Sequence, residues 1–278
     1  MKVNPPTTGR PPRLAAPPAL KPGLDIALLS RIEDAGLNAS AAPQQRWLDG
    51  WLVRFSPGKA KRARCINAVA AGRTSLAQRL AACERLYAEA ALPLIVRVTP
   101  FSEPAGLDER LNEYGLRRFD DTHVMVATLS DEMTATDKLP PGVQIGALAL
   151  EPFARRVGEL RGSPLAQRQA HAERLLSSPV PFFAFELSVA GEAVACGQIA
   201  LEDDLVGIYD VYTAPAARGR GYATLLCRHL LADARARGAR HAYLQVDSDN
   251  ASARAVYARL GFVDAYTYHY RARDPAAA

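Results

Sequence analysis

Residues 205–238 read as a strand, a tight turn and one long helix, and few architectures accommodate that unit. Val206, Ile208, Val211 and Tyr212 suit a pleated, half-buried strand. The turn carries Arg218, Gly219, Arg220 and Gly221. Apolar residues then recur at helical spacing, among them Leu226, Leu230 and Leu231. Gly238 closes the helix, with Arg235 and Arg237 in its last turn. Glycine accepts the left-handed conformation at that place, and cations complement the helix dipole. A strand running into such a helix calls for an α/β layer arrangement. The turn also carries a chemical implication. The first N–H groups of a helix have no partner within it, and glycines let an anion approach the backbone closely. With Arg218 and Arg220 alongside, the turn can cradle a diphosphate. It is not a nucleotide P-loop, because no Gly-Lys-Ser/Thr follows. Thr224 stands where a dinucleotide fingerprint needs its third glycine.

The rest of the chain places this unit in the second half of a two-domain protein. At 278 residues the chain exceeds the usual single-domain size. Residues 1–22 are punctuated by Pro5, Pro6, Pro11, Pro12, Pro17, Pro18 and Pro22 and read as a disordered tail. A first domain over 23–130 opens on a helix with Leu24, Ala27, Leu28 and Ile32 on one face. Strands follow at 47–55, 64–70 and 92–98 and through Val124, Val126 and Leu129. Helices lie on Leu76, Leu80, Cys83 and Tyr87 and near 107–114. Residues 131–142, with Asp131, Thr134, Pro140 and Pro141, break the periodicity and read as a linker. The second domain, 143–278, has helices near 152–161 and 165–176, then a hairpin over 182–201 with Gly191-Glu192 at its turn. Strand 205–213, the long helix, strand 242–246, a short helix at 252–260 and a strand at 262–270 complete it. The halves end alike, with Tyr114-Gly115-Leu116 matched by Leu260-Gly261-Phe262. Either a tandem duplication of one α/β unit or a coincidence of common units explains this.

Charge and cysteine usage narrow the function classes. The net charge of +5 is spread along the chain rather than gathered on one helix, which argues against a nucleic-acid partner. The local cluster Lys59, Lys61, Arg62 and Arg64 follows Ser56-Pro57-Gly58. It is either a solvated hairpin loop or a basic rim that attracts an acidic substrate or coenzyme phosphates. Cys65, Cys83, Cys196 and Cys227 lack metal or redox spacing and carry no role. His123, His229 and His241 read as incidental, so no metal is expected. The sequence has no apolar run long enough to span a membrane and no apolar signal core, so a cytoplasmic location is expected.

Arg218-x-x-Gly221-x-Ala223 resembles the coenzyme A signature of the GNAT superfamily of N-acetyltransferases, Gln/Arg-x-x-Gly-x-Gly/Ala. Two later landmarks are similar to that superfamily as well: Val246-Asp-Ser-Asp-Asn250, and Tyr257-Ala-Arg-Leu-Gly261-Phe262. The resemblance covers roughly residues 143–271. It implies an α/β (α+β) fold of two GNAT-like domains, the first degenerate. Each would have a mixed, mostly antiparallel central sheet flanked by helices, with splayed parallel strands at the cofactor site. It implies acetyl-CoA as co-substrate, its pyrophosphate held by the backbone of Arg218, Gly219, Arg220, Gly221, Tyr222 and Ala223. The pantetheine arm would bond the strand at Val211 and Thr213 and meet Asn250 on its other side. Asn250 also reads as a helix N-cap, and the two roles are compatible.

The implied reaction is direct transfer of acetyl to a primary amine on a small molecule or peptide. Such a site must deprotonate the amine, stabilise an oxyanion and help the thiolate leave. The resemblance assigns the oxyanion contact to the backbone N–H of Val211 or Tyr212, and the proton donor to Tyr257. The superfamily glutamate has Gln245 in its place, which cannot titrate. Ile208-Tyr209-Asp210-Val211-Tyr212 is similar to a Tyr-Asp-Leu-Ala-Val run of aminoglycoside 3-N-acetyltransferases, which makes Asp210 the first candidate base. An Asp bonded to backbone or to an arginine is the alternative. Glu202, Asp203, His171 and ordered water follow as candidates. Tyr266, Tyr268 and Tyr270 share one strand face, either in packing or as a substrate wall.

The first half lacks the signature: between its strand and helix stand Ala71-Gly72-Arg73-Thr74-Ser75. It is expected to buttress the active half and to wall its cleft, with Trp47, Trp51 and Arg54 either lining that cleft or packing in the core. Two other functions remain open at this level: a non-catalytic coenzyme A sensor, and a nucleic-acid module suggested by the basic balance. Oligomeric state, monomer or homodimer, is left open by the sequence.

Overall fold

The computed structural model describes residues 20–56, 60–134 and 138–278. Most of the proline-rich segment, together with Pro57, Gly58, Lys59, Thr136 and Asp137, lies outside the described residues. The first half comprises α1 (Ile26–Asn38), β1 (Gln44–Leu48), β2 (Trp51–Phe55), β3 (Ile66–Ala68), α2 (Leu76–Glu89), β4 (Val96–Val98), α3 (Leu107–Glu113) and β5 (Arg117–Thr128). After the short α4 (Asp131–Thr134) come β6 (Val143–Leu148), α5 (Leu150–Arg161), α6 (Leu165–Leu176), β7 (Phe182–Val189) and β8 (Glu192–Glu202). The chain closes with β9 (Leu205–Thr213), α7 (Tyr222–Ala236), β10 (His241–Asp247), α8 (Ala251–Arg259) and β11 (Val263–Ala272).

Local chemistry accounts for several of these boundaries. Asp49-Gly50 joins β1 to β2 with φ of 43° and 85°, and Ala190-Gly191 joins β7 to β8 with 50° and 86°. Two successive positive φ angles match the twist of a hairpin, and glycine takes the second without a Cβ penalty. The β7–β8 turn thus sits one residue before the expected Gly191-Glu192. On α1 the expected face is also rotated. Leu29, Ile32, Glu33, Ala35 and Gly36 are buried, whereas Ala27 is exposed. The cause is Glu33, drawn into the core by a paired Arg97 and by the Tyr266 hydroxyl, which donates at 2.7 Å. Strand β6 was not legible, because Gln144, Gly146 and Ala147 dilute the alternation of an edge strand.

The strands form one continuous sheet in the order β1-β2-β3-β4-β11-β5-β10-β9-β8-β7-β6. It is mixed and mostly antiparallel, with parallel pairs at β3/β4 and β9/β10, each joined by a helix. Its centre is an exchange. The last strand of the first half, β5, pairs with β10 of the second, and the last strand of the second half, β11, pairs with β4 of the first. The two exchanged strands pair with each other, Val263 opposite Val126 and Ala272 opposite Arg117. The segment read as a linker therefore connects halves whose sheets are already interleaved. Its α4 packs beside α7, with an Asp131–Arg235 ion pair. One apolar cluster, including Leu226, Leu230, Leu231 and Leu244, lies between α7 and the sheet. On the opposite side, α1 seats so closely that a Cβ on Gly36 would stand 2.8 Å from Gln245 Nε2. Gln245 lines the cleft described next.

Candidate active site

Parallel pairing of β9 and β10 runs from His241 opposite Leu205 to Leu244 opposite Ile208 and stops there. Both strands continue, to Thr213 and Asp247, so they part beyond that point. A bulge starts the divergence: the β8–β9 register shifts between Cys196 and Gln198, and Asp210 adopts φ 52°. Aspartate tolerates the left-handed region better than most L-residues, and a bulge re-aims the side chain it displaces. A cavity of about 320 Å³ opens where the strands part. Asp210, Val211, Gln245, Asn250 and Tyr257 all line it, so five residues singled out in the sequence meet in one place.

Tyr212, Thr213 and the turn 218–223 lie further along β9 and at the start of α7, outside the cavity lining. Gly219 and Gly221 have φ of 76° and 80°, and a Cβ built on either meets nothing within 4 Å. Gly221 is the N-cap of α7, and no side chain caps that helix. No side chain therefore satisfies the amides of the first turn. The Thr213 hydroxyl is buried without a hydrogen-bond partner, while Arg218 Nε donates to the Thr213 carbonyl at 3.2 Å. Just beyond the parted strands, this turn combines an uncapped helix start with two glycines whose Cβ positions are open, and it fits an anionic linker. Asn250 caps α8, accepting from the Ala253 amide at 3.1 Å, and lines the cavity as well.

The ionisable side chains have unequal capacities. Asp210 accepts from Arg161 Nη1 at 2.9 Å and from Gln198 Nε2 at 2.7 Å. His171 Nε2 stands 3.2 Å from Asp210 Oδ2, the oxygen that Gln198 also bonds. Burial opposes ionisation of Asp210, but His171, Arg161 and Arg174 outweigh it and hold the carboxyl well below the usual carboxylate range. A carboxylate held so firmly in its charged form is a weak proton acceptor. The alternative raised by the sequence, an aspartate engaged by an arginine, is what the geometry presents. Burial pushes the Tyr257 phenol up, so it stays protonated; its ring packs edge-on against Phe262 at 6.0 Å. Gln245 accepts from the Tyr268 hydroxyl at 3.2 Å. Glu202 is taken by the Asn38 amide at 2.9 Å, and Asp203 is an exposed hairpin residue with φ 52°.

The far wall of the cavity was not foreseen in detail. Arg62 reaches it from the first half, donating to the Tyr268 hydroxyl at 2.9 Å and to Ser40 Oγ at 3.2 Å. Arg161 on α5 and Arg174 on α6 line it from the second. Of the basic cluster, Lys61 pairs with Asp120 at 2.7 Å, while Arg62 turns inward. Buried Gln198, a polar residue inside the apolar run of β8, was the sequence signal available for this wall. Trp51 is fully buried under Arg79, Trp47 is exposed, and Arg54 bonds the Leu37 and Ser40 carbonyls; none lines the cavity. Tyr266, Tyr268 and Tyr270 are all buried and none lines the cavity, so they pack in the core. The four cysteines are buried and unpaired. Among the described residues no cluster of three metal-type ligands occurs, and no helix is long and apolar enough to cross a membrane.

Residues 27–271 match a family described as "Probable histone acetyltransferase Rv0428c C-terminal". The Bacillus subtilis (strain 168) protein described as uncharacterized N-acetyltransferase YobR is 24% identical over 253 residues, covering 87% of this chain and 98% of that one. A GCN5-related N-acetyltransferase from Kribbella flavida shares the fold with a TM-score of 0.65 at 18% identity, over 88% of this chain and 95% of its own. A tandem GNAT protein from the clavulanic acid biosynthesis pathway aligns with a TM-score of 0.58 at 16% identity, over 72% and 70%. The parted parallel strands and the glycine turn thus occur in a chain that belongs to the Rv0428c C-terminal acetyltransferase family, and it is an N-acetyltransferase of the GNAT superfamily.

Proposed function

We propose that the protein transfers the acetyl group of acetyl-CoA directly to a primary amine of a small-molecule or peptide acceptor. The observation that carries this reading is the uncapped turn at Gly219–Gly221, free of side-chain obstruction and set at the mouth of the parted strands. The amides of residues 218–223 bind the pyrophosphate, and the free edge of β9 at Val211 and Thr213, facing Asn250, holds the pantetheine arm. A backbone N–H at Val211 or Tyr212 polarises the thioester carbonyl. Tyr257, kept protonated by burial, gives its proton to the departing thiolate. Asp210 keeps Arg161 and Gln198 in place and presents a fixed negative charge beside the incoming amine, whose proton leaves through water in the polar cleft.

Thiol release from acetyl-CoA in the presence of an amine panel tests the reading. Turnover that depends on the amine and saturates with acetyl-CoA is the expected result. Saturable binding without release for any amine would leave a coenzyme A sensor and remove the catalytic reading.

A further inference from the structure

The cavity reaches past the reacting groups into a chamber with more positive than negative charge. Arg62, Arg161 and Arg174 line it, against Asp210 within and Asp247 exposed at the rim. Asp210 is already engaged by Arg161 and Gln198. Glu33, the acid that acts on Arg62 from α1, is held by both nitrogens of Arg97 and by Tyr266. No hydrogen bond or ion pair engages the Arg174 guanidinium among the described residues. Burial, with Arg62 adding to it, pulls its pKa below the ordinary arginine value, and Asp210 offsets part of that. Arginine stays charged nonetheless. A partly buried cation without a bonded counter-ion costs folding free energy, and that cost is recovered when an anion arrives. The cofactor's phosphates do not supply the anion, since residues 218–223 do not line this chamber.

We propose that the acceptor amine carries an anionic oxyacid group, a carboxylate in the first instance, bound by Arg174 and Arg62 in this cavity. Planar guanidinium groups match carboxylates through paired N–H bonds, and Arg174 has its donors free for this. With the anion on Arg174 and Arg62, the amine of a short molecule stays within the same cavity as Asp210, Val211 and Tyr257. The class is an amino acid or a similarly small amino acid-like compound, a size that a cavity of about 320 Å³ admits. A polycationic acceptor meets repulsion in the same chamber. This rests on the acetyltransfer reading above.

The test uses the full chain with acetyl-CoA and measures thiol release for amino acids, each beside its own amide and methyl ester, together with aminoalkyl phosphates, spermidine and a lysine-rich peptide. The free acids should exceed their neutral partners in kcat/KM by about tenfold or more, as charge-assisted hydrogen bonds warrant. Arg174→Gln should collapse that ratio through KM rather than kcat, and Arg174→Lys should restore part of it. Phosphates outranking carboxylates would support the anion subsite and change its preferred ligand. Neutral partners equalling the acids, or spermidine or the peptide ranking first, would overturn it while leaving acetyl transfer intact. If no amine supports turnover, calorimetry of the CoA-loaded protein with N-acetyl amino acids and their amides decides. Preference for the acids that Arg174→Gln removes supports the subsite, and its absence overturns the subsite.

Discussion

The two halves each contain a parallel strand pair bridged by a helix, and the two helices begin in opposite states. At α7 the turn is open: Gly221 is the N-cap, no side chain caps it, and glycine Cβ positions face empty space. At α2 the same place is filled by the protein itself. The Asp49 carboxylate accepts from the amides of Arg73 and Thr74 at 2.8 Å each and from the Thr74 hydroxyl, and Ser75 forms a reciprocal capping box with Gln78. Those bonds bring the Asp49 carboxyl down to about 2. A Cβ on Gly72 would strike the Asp49 carbonyl oxygen at 2.4 Å. Further along, Tyr257 stands four residues before Gly261, whereas buried Leu111 stands four before Gly115. One half has an uncapped turn and a phenol; the other has an internal carboxylate and a leucine. The two turns differ in that the chain supplies its own carboxylate to one and none to the other.

Breaking the open turn should have the largest effect. Gly221→Glu places a side chain, a negative charge and an L-residue at φ 80° on the phosphate path, and calorimetry should show acetyl-CoA affinity falling by roughly 100-fold or more. Unchanged affinity in a folded variant would remove the cradle. Next, Tyr257→Phe gives the second half the apolar character of Leu111. Steady-state kinetics should show kcat down about 10- to 100-fold with little change in cofactor affinity. Asp210→Asn should lower the rate by about tenfold without moving the acid limb of the pH–rate profile, because the wild-type carboxyl does not titrate there. A shifted limb would return Asp210 to the role of general base.

The smallest effect belongs to the closed turn. Asp49→Asn should lower the melting temperature by roughly a few degrees. Its folded pKa of about 2 lies below the unfolded carboxylate value near 3.9, so the contribution is complete above about pH 4 and fades as pH falls through 2. Melting curves of variant and wild type should therefore converge in acid. Coenzyme A binding to the first half of that variant would show that Asp49 alone blocks a second site.

The sequence made the second half legible because its landmarks depend on local backbone demands. A glycine at φ 80°, an N-cap Asn250 and a helix ending at Gly261 leave marks that spacing alone reveals. The exchange of β5 and β11 left none, since strand partners far apart in the sequence are chosen by packing rather than by neighbours. The arginine wall was hidden for the same reason. Arg161 and Arg174 look like ordinary helix cations, and Arg62 sits in a basic loop whose neighbouring Lys61 does face an exposed partner. The charge of Asp210 was visible but its environment was not, because Arg161, Gln198 and His171 come from three other elements.

Stoichiometry tests the contrast between the two turns most directly. Calorimetric titration of the full chain with acetyl-CoA should saturate at one equivalent and lose that binding in Gly221→Glu. Two equivalents, no saturable heat, or one equivalent that survives the substitution would contradict it.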